Sequence, residues 1–311
     1  MRVELHKGHG VEPPGWAAAV SAAGLHAAWA WPVLRARAGR RGVRALLRAE
    51  DGSVAGLAAW RGVPGATEVL CPASSVLPGV AADPGVWSEA LRAVGGALGG
   101  AVLLRQLQEA HLPAVLRGPA VVRRGLSVAV FDNHFDSFDG YLAGLGKGRR
   151  NSLTTQLRRI DADPGLVCGF GRDALPEPAE VVGLVAATAR RQRTGLLPAP
   201  STGPALAAAL LADPTTHWLT YRDRDGRLLA CAYLLDHAEW PVLGSWGALA
   251  PEDGGRKHLW FHMLTACVRW CVAEGRAGVV MGKGSEQTKR TLGFRLRPQW
   301  TVLAHASALG R

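Results

Sequence analysis

Hydrophobic and polar positions recur with recognisable periods along most of this chain. Ala17 to Trp31 is apolar and helix-prone, and Trp87 to Leu104 reads as a helix interrupted by glycines. Between them, Arg48-Ala-Glu-Asp51-Gly52-Ser-Val-Ala-Gly56-Leu-Ala58 sets an Asp-Gly pair between β-prone apolar runs, the strongest short signal for a tight hairpin turn. The same pattern returns as Arg222-Asp-Arg-Asp225-Gly226-Arg-Leu-Leu-Ala230-Cys-Ala232. Matching hairpins at similar depth in each half predict a duplicated architecture. The apolar strand Leu126 to Phe131, after Arg123-Arg124-Gly125, marks the junction, so the expected domains are 1–125 and 126–311.

In the second half an amphipathic helix starts near Ser137 and runs into Gly146-Lys147-Gly148-Arg149-Arg150-Asn151. A second helix continues through Arg158 and Arg159. Another, from about Pro178 to Arg193, ends in a basic cluster, which suits a helix C-terminus. The Pro-rich segment Leu197 to Pro204 follows as a loop, a candidate lid over an acceptor site. Val242 to Leu249 reads as a strand, and a helix spans about Lys257 to Glu274 with Trp260, Leu264, Cys267 and Cys271 on one apolar stripe. Next come the strand Ala277 to Met281, a glycine-rich turn from Gly282, and a short helix ending in Gly293-Phe294.

Composition narrows the class. With 48% hydrophobic and 20% charged residues the chain is globular, and its 311 residues favour two cores over one. The first residues carry no apolar run of the secretory type and no stretch is long enough for a membrane span, so a soluble cytoplasmic protein is expected. Five scattered cysteines form no disulfide or zinc pattern and are expected to be buried apolar residues. His258 and His262 fall roughly opposite Cys267 and Cys271 on their helix, so no metal site is expected. A net charge of +11 makes nucleic acid a live partner, with a generic basic surface as the alternative. Arg35, Arg37, Arg40, Arg41, Arg44 and Arg48 form one basic cluster, either a solvated face or a phosphate track.

The order strand, loop, helix, strand, short helix and Gly-Phe over Val242 to Phe294 resembles the acyl-donor half of the GNAT acyltransferase superfamily. Within it, four features are most similar to the Fem-type aminoacyltransferases, which contain two GNAT-like domains and use aminoacyl-tRNA. These are the duplicated hairpin, Tyr141-Leu-Ala-Gly-Leu145 leading into Lys147, Arg149 and Arg150, the loop after Arg193-Thr-Gly195, and Lys289 ahead of Gly293-Phe294.

The resemblance implies tandem α/β domains, each a mixed central sheet flanked by helices. It implies an aminoacyltransferase that moves an aminoacyl group from tRNA to the amine of a small-molecule or peptide acceptor, with no cofactor. Lys289 is then the residue that neutralises the oxyanion or the terminal phosphate, and Glu286 the preferred proton acceptor among Glu252, Asp253, Glu286 and His258. Arg256, Lys257, Lys283, Arg149, Arg150 and Arg158 are candidate phosphate contacts, since arginine forks suit phosphate oxygens. Trp246 and His258 are candidates for the acyl or acceptor pocket.

Two departures qualify the likeness. Arg256-Lys-His258-Leu-Trp260-Phe261 replaces the small residues of a coenzyme A pyrophosphate loop, and the helical-hairpin arm of many Fem enzymes is absent. Acyl transfer from coenzyme A, or an RNA-binding module without catalysis, are the competing readings.

Overall fold

A computed structural model describes every residue except 8–9, 23, 25–26, 39–41, 72, 116–117, 174, 193–201 and 311. The chain forms two compact units, Met1–Val128 with Arg297–Arg311, and Ala129–Leu296. The boundary expected from sequence put 126–311 in one piece; the pairing of the last strand is what assigns Arg297–Arg311 to the first unit.

The first unit runs β1 (Arg2–Lys7), α1 (Trp16–Ala22), α2 (Trp31–Ala38), β2 (Gly42–Arg48), β3 (Val54–Val63), β4 (Ala66–Val69), β5 (Val80–Ala82), α3 (Trp87–Ala97), β6 (Ala101–Leu107), α4 (Leu112–Val115) and β7 (Ala120–Arg124). The second runs β8 (Val128–Asp132), α5 (Phe138–Gly144), α6 (Lys147–Asp161), β9 (Leu166–Gly171), α7 (Pro178–Arg191), α8 (Pro204–Ala212), β10 (Thr216–Asp223), β11 (Leu228–Leu235), β12 (Val242–Ala248), α9 (Leu259–Ala273), β13 (Gly278–Lys283), α10 (Glu286–Thr291) and β14 (Arg295–Arg297). The last strand, β15 (Trp300–His305), returns to the first sheet between β6 and β7.

Each sheet follows one plan. In the first, ordered β1-β2-β3-β4-β6-β15-β7 with β5 on β3, an antiparallel run meets one parallel pair, β4 and β6, spanned by α3. In the second, ordered β14-β8-β13-β12-β11-β10-β9, the antiparallel run β9 to β12 meets the parallel pair β12 and β13, spanned by α9. Beyond each pair lies a strand from a remote part of the chain, β15 in one and β8 in the other. The duplication expected from the Asp-Gly patterns is present: both are hairpin turns, with Gly52 at φ +84° and Gly226 at +80°, where a Cβ is disfavoured.

Helices cover the sheets where their stripes are apolar. Trp87, Ala90, Leu91 and Val94 of α3 pack into the first core with Leu104 and Val302. Leu153, Leu157 and Ile160 of α6 join Met263, Leu264, Cys267 and Cys271 of α9 over Leu219, Tyr221 and Ala232 in the second.

Four expectations are corrected. Trp87 to Leu104 is a helix and a strand, because Gly100 turns the chain at φ +69° and the apolar run after it pairs in the sheet. Ala17 to Trp31 is likewise broken, α1 ending at Ala22 and α2 starting at Trp31. The basic cluster around Arg44 is not a continuous surface track: Arg44 is fully buried and donates to the Leu34 and Gly42 carbonyls, and Arg48 pairs with Glu4. Arg40, Arg41 and the side chain of Arg37 lie outside the described residues. Finally, Cys168 is exposed, since it sits on the edge strand β9.

Candidate functional site

The parallel pair in the second unit is barely a pair. Its ladder holds a single register match, Val242 with Val280, next to the bonds Val280 N–H to Pro241 and Gly278 N–H to Glu239. Toward their carboxyl ends no further register match joins β12 to β13, and we call this unpaired edge of β12 the wedge. In α/β sheets ligands bind in such crevices outside the carboxyl ends of parallel strands.

The open edge of β12 presents main-chain groups in a known phase. Leu249 N–H donates to Leu229 on β11, and Ala248 pairs with Ala230 and Trp246 with Ala232. Because antiparallel partners alternate, the N–H and C=O of Ala248 and Trp246 point away from β11, into the wedge. The side chains divide with the same alternation. A Cβ on Gly247 would strike Leu184 and Val185 of α7, so the flanking Trp246 faces the other side of the sheet, toward α9.

At the mouth of the wedge α9 begins without a side-chain cap, its N-cap residue His258 held at φ +69°. The first N–H groups of a 15-residue helix therefore stay available, and the helix dipole favours an anion there. Arg149 lies 5.6 Å over the Phe261 ring, and Trp260 meets Phe261 edge-on at 5.2 Å. A guanidinium and two half-exposed aromatic rings thus flank the helix start.

The remaining predicted phosphate contacts are spread out. Arg150 donates to the Ala143 carbonyl and closes the α5–α6 junction. Arg158 projects from the solvent face of α6, half a turn around from Arg149 at 100° per residue, so the two do not form one track. Arg256 reaches Asp163 at 3.6 Å and the Gly254 carbonyl, and Lys257 is exposed beside it. Lys283 is half-buried at the end of β13. The loop after Arg193 and the segment Leu197 to Pro200 lie outside the described residues.

Lys289 is only 3% exposed. Its Nζ donates to the carbonyls of Met281 at 2.7 Å, Gly282 at 3.2 Å and Lys283 at 3.1 Å. The expectation directed this ammonium at an oxyanion or terminal phosphate; here it donates to the last three carbonyls of β13. Burial pushes its pKa down to about 8, with Glu286 on the first turn of α10 pulling the other way. The end of β13 and the turn into α10 carry three left-handed residues, Gly282, Gly284 and Ser285.

A hydrogen-bonded chain that sequence reading missed lies under the mouth. Tyr221 Oη bonds His262 Nδ1 at 2.9 Å, and His262 Nε2 meets Asp161 Oδ1 at 3.3 Å. With Nε2–H directed at the carboxylate, Nδ1 accepts from the phenol, which burial keeps protonated by raising its pKa. Tyr221 also meets Trp246 edge-on at 6.1 Å, so the chain ties α6, α9 and β10 to the wedge. Only a Tyr and a His at helix and strand positions were visible in sequence, separated by 41 residues.

Burial lowers the His262 pKa, outweighing the attraction of Asp161 and adding to the repulsion of Arg269. An imidazole harder to protonate folded than unfolded makes the unfolded chain bind more protons, so stability falls as pH drops through the ordinary imidazole value of 6.5. His262→Gln is therefore expected to flatten the dependence of urea midpoint on pH between about 8 and 5. Parallel slopes for the two proteins would refute the assignment.

No protein-family model matches the chain, and no curated protein does. The chain carries two mixed sheets flanked by helices, and solved structures share that fold. It is similar to the C-terminal DUF2156 domain of a putative lysylphosphatidylglycerol synthetase from Agrobacterium fabrum, with a TM-score of 0.62, 14% identity, and coverage of 89% of this chain and 86% of that one. It is similar too to L-PGS from Bacillus licheniformis, with a TM-score of 0.60 and 10% identity over 83% of each chain. FemX gives a TM-score of 0.54 and 13% identity over 83% of this chain and 87% of its own. At such identities the likeness is one of fold. Among the described residues no helix is long and apolar enough to cross a membrane, and no group of three or more His, Cys, Asp or Glu is arranged to hold a metal ion.

Proposed function

We propose that the second unit is an acyltransferase that moves an aminoacyl group from aminoacyl-tRNA to an amine, forming an amide. The observation that carries the reading is the uncapped start of α9 at the mouth of the β12–β13 wedge, with Arg149 beside it. Free helix N–H groups suit a terminal phosphate, and Trp260 and Phe261 offer faces against which an unpaired base can stack. The similarity of the fold to FemX and to lysylphosphatidylglycerol synthetase supports the same class.

In this reading the aminoacyl ester lies along the open edge of β12. The acceptor amine attacks the ester carbonyl, a C–N bond forms, and the C–O bond to the ribose breaks. The ribose oxygen leaves as a hydroxyl, taking up one of the protons the nitrogen gives up. Trp246 N–H, aimed into the wedge, is the donor we assign to the oxyanion. Glu286 is the proton acceptor we assign, and Lys289 acts on the site by holding the end of β13, which carries Lys283 and leads into α10 and Glu286. The ester is already activated, so alignment of the reactants supplies much of the rate.

Salt dependence tests the phosphate contact at α9. Arg149→Gln is expected to reduce the slope of log affinity against log salt for an aminoacylated acceptor minihelix by about 0.7 to 0.9, the value of one phosphate contact. Arg158→Gln, on the far face of α6, is expected to leave it unchanged. Equal losses for both variants, measured by anisotropy, would point to a diffuse basic surface instead.

A further inference from the structure

The first unit encloses a cation that its fold does not require. Ala45 packs into the core with α3, so its neighbour Arg44 projects from β2 on the other face of the sheet. There it lies among tryptophans. Its guanidinium is 5.8 Å from the centre of the Trp31 ring, Trp31 meets Trp16 edge-on at 5.1 Å, and Trp16 donates its indole N–H to the Trp29 carbonyl. All four side chains are buried.

The charge has no counterpart. Among the described residues no carboxylate pairs with Arg44, and none of the remaining residues is an Asp or Glu. Glu4, on the neighbouring strand β1, pairs with Arg48 and lies 3.1 Å from His6 Nε2. Burial pushes the Arg44 pKa down to about 10, with no opposite charge pulling it back. Nη1 and Nη2 donate to the Gly42 and Leu34 carbonyls, whereas Nε is buried without a partner. An enclosed guanidinium without a carboxylate is destabilising, and an unmet donor adds to the cost.

The second unit shows what else can occupy this position. Its hairpin has the same register: counting back from the Asp-Gly turn, Arg48 matches Arg222, an irregularity precedes each, and Arg44 opposite Ala59 matches Trp218 opposite Tyr233. Trp218 is buried and its ring lies 5.5 Å from that of Tyr233. An apolar ring therefore serves this sheet position, and the cation is particular to the first unit.

We infer that the first unit binds a small anion with oxygen acceptors, a carboxylate or a phosphate, at Arg44, through the guanidinium charge and the unmet Nε–H. The site lies within the first unit and does not depend on the acyl-transfer reading. The indole walls keep water away and strengthen a charge-assisted hydrogen bond there. His6, directly opposite Arg44 on β1, has its ring 6.4 Å from Trp31 and is 21% exposed, so the cluster reaches the surface on that side. An enclosed side chain admits a small ion or the anionic end of a larger molecule.

Sodium phosphate and sodium acetate are the probes, each titrated into the full chain at constant ionic strength with sodium chloride as the balance. The native protein is expected to bind one of them saturably at a single site, and its thermal midpoint to rise with the logarithm of that anion's concentration. Which of the two does so distinguishes phosphate from carboxylate. Arg44→Met, apolar and unbranched, is expected to fold and to bind that anion at least about 10-fold more weakly, with no rise in midpoint. Arg44→Lys, which keeps the charge and loses the planar donors, is expected to bind about 10-fold more weakly than the native protein.

A native midpoint that is the same in chloride, phosphate and acetate overturns the inference. An anion response that survives in Arg44→Met overturns it too, because binding then lies elsewhere. Should Arg44→Met fail to fold, Arg44→Lys decides: unchanged affinity overturns the inference, and a loss of about 10-fold supports it.

Discussion

Lys289→Met is expected to abolish transfer, by at least about 100-fold, and to lower stability by about 2 kcal/mol. The loss follows from the end of β13 and the turn after it. Gly282, Gly284 and Ser285 there are left-handed, and a left-handed serine costs free energy that the surroundings must offset. The ammonium supplies that offset by binding three successive carbonyls, which methionine cannot do. Methionine fills similar volume, so the packing is kept and the change isolates the hydrogen bonds. Lys289→Arg is expected to do no better, since its larger fork has no room at 3% exposure. Urea melts and single-turnover transfer read the two effects, and a methionine variant with the native midpoint and rate would remove the bracing role.

Gly247→Val is expected to cost about 3 kcal/mol and to lower transfer by at least about 100-fold. A Cβ at this position would lie 2.6 Å from the Val185 amide nitrogen and 2.8 Å from the Leu184 carbonyl carbon, which are backbone atoms and cannot rotate aside. The helix α7 must then move off β12, taking Thr188 and Arg191 from their hydrogen bonds to Ala248. Gly183→Ala is the matched control on the same helix, where a Cβ meets nothing within 4 Å. It is expected to stabilise by about 0.5 to 1 kcal/mol, because alanine loses less freedom than glycine on forming a helix. A folded, active Gly247→Val protein would show that the close approach of α7 to β12 is dispensable.

The sequence was legible where local chemistry decides the structure. Asp51-Gly52 and Asp225-Gly226 specify their turns from within four residues, and the stripe Trp260, Leu264, Cys267, Cys271 specifies α9 from its own period. Neighbours remote in sequence decided the rest. Strand β15 reads like any short apolar run, and only its pairing with β6 and β7 puts it in the first sheet. Arg44 reads like the other arginines of its cluster, yet it is buried and donates to the Leu34 and Gly42 carbonyls.

The site divides in the same way. Its framework of strand, helix, strand and glycine-rich turn was readable because each element is continuous. Its contacts were not. Asp161 and His262 are 101 residues apart, and nothing near either announces the other. Arg149 and Arg158 look equivalent along the chain, but helix geometry sends one to Phe261 and the other to solvent. Lys289 reads as a surface cation along the chain, but its Nζ binds the last three carbonyls of β13, six to eight residues back.

In the proposed reaction an aminoacyl group on tRNA is the donor. The most direct measurement incubates the protein and an amine acceptor with a pool of radiolabelled aminoacyl-tRNA, with and without prior ribonuclease treatment, and in parallel with acetyl-CoA. The expected result is a labelled amide from the charged tRNA, none after ribonuclease, and none from acetyl-CoA. Acylated amine from acetyl-CoA alone, unaffected by ribonuclease, would contradict it.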